Sequence, residues 1–341
     1  MTTVGAPSML EKLIATFLAR HGHSEADLVA LPSDASPRRY FRVAGADRLL
    51  MEDRTDHVGL AAFIRLARHL NGLGLSAPRV FGADPTVGLV LIEDFGTATY
   101  GKLLGAGRDE KALYELAIDA LVHLHSAPTA TAITVPAYDV ALILDEVSIF
   151  SQWFVPVFAP SIDVVGFEAT FRDLWGRALA PVLDAPKALV LRDFHVDNLM
   201  LLEGRKGVSA CGLLDFQDGV LGPAEYDLMS LLQDARRDLA DGLEDAMLRR
   251  YLDAAPSSCG TEHTILQRYY LLAAQRHTRL MGLFPRLNIR DNKPGYLNFM
   301  PRVAAQLHVA MRMANLSEIS DFLDTTLPGW CDAGPAMAEH P

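Results

Sequence analysis

Apolar residues recur at two different spacings along this chain, and the change between them falls near Thr97. Before that point short runs predominate. Leu31 to Asp53 is a series of alternating and apolar segments broken at Ser33 to Pro37, which predicts two strands and a turn. His57 to Leu73 is spaced as a helix, and GLSAPRVFGAD with VGLVLIEDFG reads as strand, turn and strand ending near Glu93 to Gly96. Ahead of these, Ser8 to Arg20 sets Leu10, Leu13, Ile14, Phe17 and Leu18 on one helical face. After Thr97 helical spacing takes over, at Lys102 to Leu104, Glu110 to His125, Val140 to Val157 and Pro301 to Leu323. One return to short runs interrupts it. Ala188 to Leu191 predicts a strand, and Leu199 to Leu202 with Val208 to Leu214, joined by EGRKG, predicts a β-hairpin. In Gln275 to Leu297, Pro285 and Pro294 are expected to break the chain into short pieces, and the tail CDAGPAMAEHP, which has no period, is expected to fray.

Composition narrows the class. A chain of 341 residues, 50% hydrophobic, is long for one core and suits two joined lobes. The net charge of -11 argues against nucleic acid or an anionic membrane surface as a main partner. The N-terminal segment carries Glu11 and Lys12 between its apolar positions and so reads as an amphipathic helix and not a signal peptide, and no stretch reads as long enough to span a bilayer. Cys211, Cys259 and Cys331 are far apart and odd in number, against a disulfide framework or zinc site and in favour of a reducing, cytoplasmic setting. His123 and His125, two apart on a helix, face different ways and read as structural. Phe150, Trp153 and Phe154 read as core, with Trp153 a lesser option for a sugar site.

The chemistry concentrates between Leu189 and Asp227. Phosphoryl transfer needs a base to hold the attacking hydroxyl and metal ions to neutralise charge on the transferred oxygens. Asp193 suits the base. Asn198 and Asp215 suit magnesium, a hard cation that takes oxygen ligands and keeps waters and substrate phosphates for the rest of its shell. The predicted hairpin would return Asp215 beside Asn198, although the two are seventeen positions apart. Any one of these residues alone is as well explained as turn decoration, since Asp and Asn bond their local backbone.

LRDFHVDNLM, followed by GLLDFQDG and GPAEYDL, resembles the catalytic core of the aminoglycoside phosphotransferase-like kinases. ASPRRYFRV, LIEDFG and QRHTRLMGLFPRLNIRDNKPGYL look most like one branch of them, the bacterial N-acetylmuramate/N-acetylglucosamine anomeric kinases of cell-wall recycling. The resemblance implies an α+β, two-lobed, protein-kinase-like fold, with a small sheet-rich lobe at 1–95 that binds nucleotide and a larger helical lobe at 96–341. It implies ATP as donor, Mg2+ as cofactor, an amino sugar as acceptor and a monomer. Asp227 would brace the catalytic loop by accepting backbone hydrogen bonds. The stretch around Leu91, Glu93 and Asp94 would meet the base of the nucleotide.

The loop SDASPRRYFRV is the candidate phosphate cover. It lacks glycines, and Ser33 and Ser36 stand in their place, with Arg38 and Arg42 as cationic donors; a solvated strand edge explains the arginines equally simply. Met51 occupies the position where such kinases usually place a phosphate-contacting lysine, and the helix after it has no glutamate to pair with one. Either an early arginine replaces that lysine or the chain is a nucleotide-binding pseudokinase. For the acceptor, Glu146, His195, Arg276 and His277 are the candidates, Arg276 and His277 for the lactyl carboxylate of N-acetylmuramate. His195 serves equally well as a loop-fixing residue. An aminoglycoside or other small-alcohol kinase is the alternative within the same family.

Overall fold

The computed structural model describes residues 8–24, 26–32 and 38–332. Ser33 and Ser36 of the expected phosphate cover, and all but Cys331 and Asp332 of the expected frayed tail, lie outside them. In chain order the elements are α1 (Met9–Arg20), β1 (Leu28–Ala30), β2 (Arg39–Val43), β3 (Arg48–Glu52), α2 (His57–Gly72), β4 (Val80–Asp84), β5 (Leu89–Glu93), α3 (Tyr100–Gly105), α4 (Glu110–Ser126) and α5 (Val140–Ile149). A π-helical segment (Phe150–Phe154) leads into α6 (Val155–Phe158), α7 (Val164–Ala178), α8 (Ala180–Leu183), β6 (Ala188–Val190), β7 (Leu199–Leu201), β8 (Cys211–Leu213) and β9 (Val220–Gly222). There follow α9 (Glu225–Leu232), α10 (Leu243–Ala254), α11 (Glu262–Asp291), α12 (Met300–Met313) and α13 (Ser317–Thr326).

Two compact units emerge, Met1–Ala120 with Val196–Gly219, and Leu121–His195 with Val220–Pro341. They divide the chain by contacts, whereas the lobes expected at 1–95 and 96–341 divide it by role; residues 96–120 and 196–219 fall in the first unit.

In the first unit a five-stranded antiparallel sheet runs β1-β2-β3-β5-β4. Its strands alternate, as a pleat of period two requires. Val43, Leu50, Leu89 and Leu91 join Phe17 and Leu18 of α1 in one apolar cluster. That helix starts sharply because Ser8 and Glu11 form a capping box. On the other face Met51 stands between Tyr40 and Val90, and Leu49 between Arg42 and Ile92. The hairpin expected from the sequence is β7 against β8, with Leu199 opposite Leu213.

In the second unit β6 pairs with β9, a three-residue strand too short to show a period in the sequence, with Leu189 opposite Leu221. The rest is helical and packs about α11, whose thirty residues pass through Pro285 without a break. The expected interruption there is overturned. Proline costs a helix interior about 3 kcal/mol, but Leu280, Met281, Phe284 and Pro285 itself are buried, and their packing holds the helix through it. Gly282 of α11 lies against the backbone of Ile149 and Phe150, where a β-carbon would strike the Ile149 carbonyl and the Phe150 nitrogen. Phe150 and Phe154 stack at 4.6 Å, and both are fully buried, as expected of core residues. His125 is also buried, its Nδ1 2.8 Å from the Tyr251 hydroxyl. The reading that no stretch is long enough to span a bilayer needs correction. Among the described residues the helical run Val140–Phe158 is long and apolar enough by length and composition, with 44% of its most apolar 18-residue stretch buried within the fold. It also carries Asp145 and the buried Glu146.

Candidate functional site

The first unit holds a pocket of about 750 Å³ on the face of the sheet away from α1. Strand alternation supplies Arg38, Tyr40, Arg42, Leu49 and Ile92, while the turns at either end of the β7–β8 hairpin add Asn198 and Asp215. The hairpin is closed by Leu214, which donates its N–H to the Asn198 carbonyl at 2.9 Å, so the side chains of Asn198 and Asp215 meet at 3.4 Å. Asp215 adopts a left-handed backbone, φ 55°, and Gln217 donates to its other oxygen at 2.8 Å. In that contact the Asn198 amide nitrogen donates to Asp215 Oδ2, and the amide and the carboxylate both line the pocket. Among the described residues no three His, Cys, Asp or Glu side chains cluster to hold a metal by themselves. The pair fits magnesium, which needs few protein ligands.

Arg38 is the buried cation of this pocket. Its Nε is 2.9 Å from Asp53, and the two side chains are 9% and 1% exposed. Asp53 is itself fixed by the N–H groups of Thr55 and Asp56. Burial works against the Arg38 charge, but the bond to Asp53 and the fields of Tyr40, Asp53 and Asp215 outweigh it and push the pKa up. Met51, where a lysine is usual in such kinases, is fully buried on the same face as Tyr40. Arg42 also lines the pocket but forms a fork to Asp94. Glu93 is held by Arg205 at 2.5 Å, and its N–H, like that of Asp94, is already bonded to a neighbouring carbonyl. Leu91 lies in the core of the sheet and not on the pocket.

The second unit carries Asp193 on a loop of unusual geometry. Arg192, just before it, has φ 71°, a left-handed conformation that costs a non-glycine residue on the order of 1 kcal/mol and signals a functional constraint. Asp227 clamps this turn, accepting from Leu191 N–H at 2.6 Å and Arg192 N–H at 2.8 Å. Ser230 and Arg276 donate to the Arg192 carbonyl at 3.2 and 3.5 Å. Burial pushes the Asp227 pKa up to about 7 against the pull of the two N–H groups. The Arg192 guanidinium pairs with Glu146. Glu146 is thereby placed as an anchor, since its carboxylate also accepts from Tyr138 and Gln275, both at 3.0 Å.

A second pocket, about 190 Å³, opens beside Asp193 within this unit. Asp234, Arg236, Arg276 and Arg279 supply polar lining, and Phe284 and Tyr296 are among its apolar lining. His277 is turned away, fully buried with Nε2 2.9 Å from Gln233. His195 is buried near these groups; burial first, then Arg236, hold its pKa down. Asp234, Arg236 and Arg279 escaped the sequence reading as individual site residues. For Arg279 a signal existed, because 276, 279, 280, 283 and 287 recur at the spacing of one helix face. For Asp234 and Arg236, in a turn after α9, none did.

The family model for the phosphotransferase enzyme family matches residues 27–260. The N-acetylmuramate/N-acetylglucosamine kinase of Caulobacter vibrioides is 37% identical over 309 residues, which cover 87% of this chain and 82% of that one. The N-acetylmuramate/N-acetylglucosamine kinase of Pseudomonas aeruginosa is 33% identical over 317 residues, 90% of each chain. Among solved structures, choline kinase LicA from Streptococcus pneumoniae superposes with a TM-score of 0.60 at 13% identity, covering 91% of this chain and 100% of that one. The last likeness is one of fold, the α+β protein-kinase-like fold expected from the sequence.

Proposed function

From the premise that the chain belongs to the phosphotransferase enzyme family, we propose that it moves the γ-phosphoryl group of ATP to the anomeric hydroxyl of N-acetylmuramate or N-acetylglucosamine, giving the sugar 1-phosphate. One observation carries the choice of acceptor. The two kinases named for these sugars match nearly the whole chain, so the acceptor-facing helical part is matched along with the nucleotide-binding part.

Asp193 holds the anomeric hydroxyl and takes its proton as the phosphoryl group arrives. An anomeric hydroxyl is more acidic than an ordinary alcohol, so the base has modest work and positioning carries much of the rate. Asn198, through its amide oxygen, and Asp215 would hold Mg2+, which when bound offsets charge on the phosphate oxygens. Arg38 replaces the usual lysine. It lines the pocket that holds Asn198 and Asp215, is buried, and is backed by Asp53 as a lysine would be by its glutamate. Leu49, Ile92, Met200 and Leu214 supply an apolar slot for the base of the nucleotide.

The test is phosphorus NMR of products after incubation with magnesium ATP and, separately, N-acetylmuramate, N-acetylglucosamine, glucose and kanamycin. Sugar 1-phosphate from the first two alone is the expected result. Turnover with kanamycin alone would move the acceptor class to aminoglycosides. No turnover with any acceptor would make the buried Met51 decisive and the chain a pseudokinase.

A further inference from the structure

The pocket beside Asp193 contains more unspent binding capacity than the loop around it needs. Asp234 is the first sign. Its side chain is 3% exposed, Oδ1 accepts from the Arg236 backbone at 3.1 Å and from its guanidinium at 3.3 Å, yet Oδ2, also buried, has no hydrogen-bond partner among the described residues. A buried carboxylate oxygen left without a donor is costly, so it implies a donor that arrives with a ligand.

The arginines divide in the same way. Arg276 is committed to the fold, donating to the Arg192 carbonyl and to the Tyr226 hydroxyl at 3.3 Å, with its guanidinium over the Tyr226 ring. Arg279, one helical turn on, is not. Its nearest carboxylate is Glu146 at 4.0 Å, a group already paired with Arg192, and its Nε has no partner among the described residues. Three arginines stand here against the two aspartates 193 and 234, leaving a surplus of positive charge. The volume of about 190 Å³ is below the roughly 300–1,000 Å³ that takes drug-sized ligands, which favours a single ring over a multi-ring acceptor.

We propose that this pocket selects the acceptor, with Arg279 receiving the carboxylate of an acidic amino sugar and Asp234 Oδ2 receiving one of its O–H or N–H groups. The wall of Phe284 and Tyr296, 5.6 Å apart, faces the apolar N-acetyl methyl. The inference rests on the amino-sugar reading above and sharpens the sequence expectation, which placed Arg276 and His277 in this role.

The experiment compares kcat/KM for N-acetylmuramate, its carboxyl methyl ester and N-acetylglucosamine in wild type, Arg279→Gln, Arg279→Lys and Asp234→Asn. Wild type should prefer the free acid to the ester. Arg279→Gln should lower the acid-to-ester ratio about tenfold or more, the scale of a charge-assisted hydrogen bond, and Arg279→Lys should restore part of it. Asp234→Asn should raise KM for all three sugars while MgATP affinity, measured by calorimetry, stays within about twofold and reports an intact fold. A wild type that turns over both sugars with no preference for the acid over its ester overturns the proposal, as does an acid-to-ester ratio that does not move in Arg279→Gln. Failure of wild type to turn over any of the three overturns instead the proposed function on which this inference stands.

Discussion

Asp193 depends on the residue before it. Arg192 sits in a left-handed conformation that its own sequence disfavours, and Asp227, Ser230 and Arg276 hold it there through the backbone. The carboxylate that follows is aimed by that turn, so catalysis is tested one residue at a time. Asp193→Asn should cut kcat by about a hundredfold to ten-thousandfold, the usual worth of a general base, while MgATP binding measured by calorimetry is kept. Retained turnover would remove Asp193 from the role of base. Arg38→Met should split the other way, raising KM for ATP more than it lowers kcat, if Arg38 stands in for the missing lysine. At this scale Asp193, Asn198 and Asp215 were legible in the sequence as candidates, because phosphoryl transfer restricts which types can serve, and Asp227 as a brace through the family resemblance. The difference between Arg276 and Arg279 was not, since both are arginines on one helix face and only their partners tell them apart.

At the scale of elements, α11 shows where packing overrides local preference. Proline and glycine both disfavour helix, yet Pro285 and Gly282 lie inside it. Gly282 is there because the backbone of the π-helical segment leaves no room for a β-carbon. Gly282→Ala should therefore destabilise the protein by about 1–3 kcal/mol, the cost of overpacking, although alanine is the better helix former. Gly176→Ala in α7, where a β-carbon meets open space, should instead stabilise by about 0.5–1 kcal/mol. Urea unfolding of both variants checks the pair, and a stabilised Gly282→Ala would show that the π-helical backbone gives way. The hairpin β7–β8 was readable because its strands are short apolar runs and its turn is rich in glycine and charge. Strand β9 was not, being defined by its partner β6 and not by any period of its own.

At the scale of the whole molecule, buried neutral histidines tie stability to pH. His277 is fully buried against Gln233, and burial, then Arg276, push its pKa down to about 3 from an ordinary 6.5. Below pH 6.5 the unfolded chain takes up a proton that the folded chain refuses. The contribution of this group is whole above pH 6.5 and is lost as pH falls toward 3, at about 1.4 kcal/mol per pH unit. His277→Gln should lower stability at pH 7, and its deficit should shrink by about 2 kcal/mol on going to pH 5. Unfolding free energies of both proteins at the two pH values decide it; a constant deficit would mean that His277 protonates in the folded state.

By itself the sequence determined where strand-rich and helical parts divide and which residues could carry phosphoryl transfer. Hydrophobic spacing separates a strand-rich start from a helical remainder, and the motif around Asp193, Asn198 and Asp215 contains the residue types that phosphoryl transfer requires. Both are local properties, decided by period and by side-chain chemistry within a few tens of residues. Only the tertiary structure decided which charges are already spent. It committed Glu146 to Arg192, Arg42 to Asp94, Arg276 to Tyr226 and His277 to Gln233, and it left Asp234 and Arg279 with capacity in hand. The reason is that a side chain's availability depends on which partners the fold brings within hydrogen-bond reach, and those partners lie up to fifty-two positions away in the sequence.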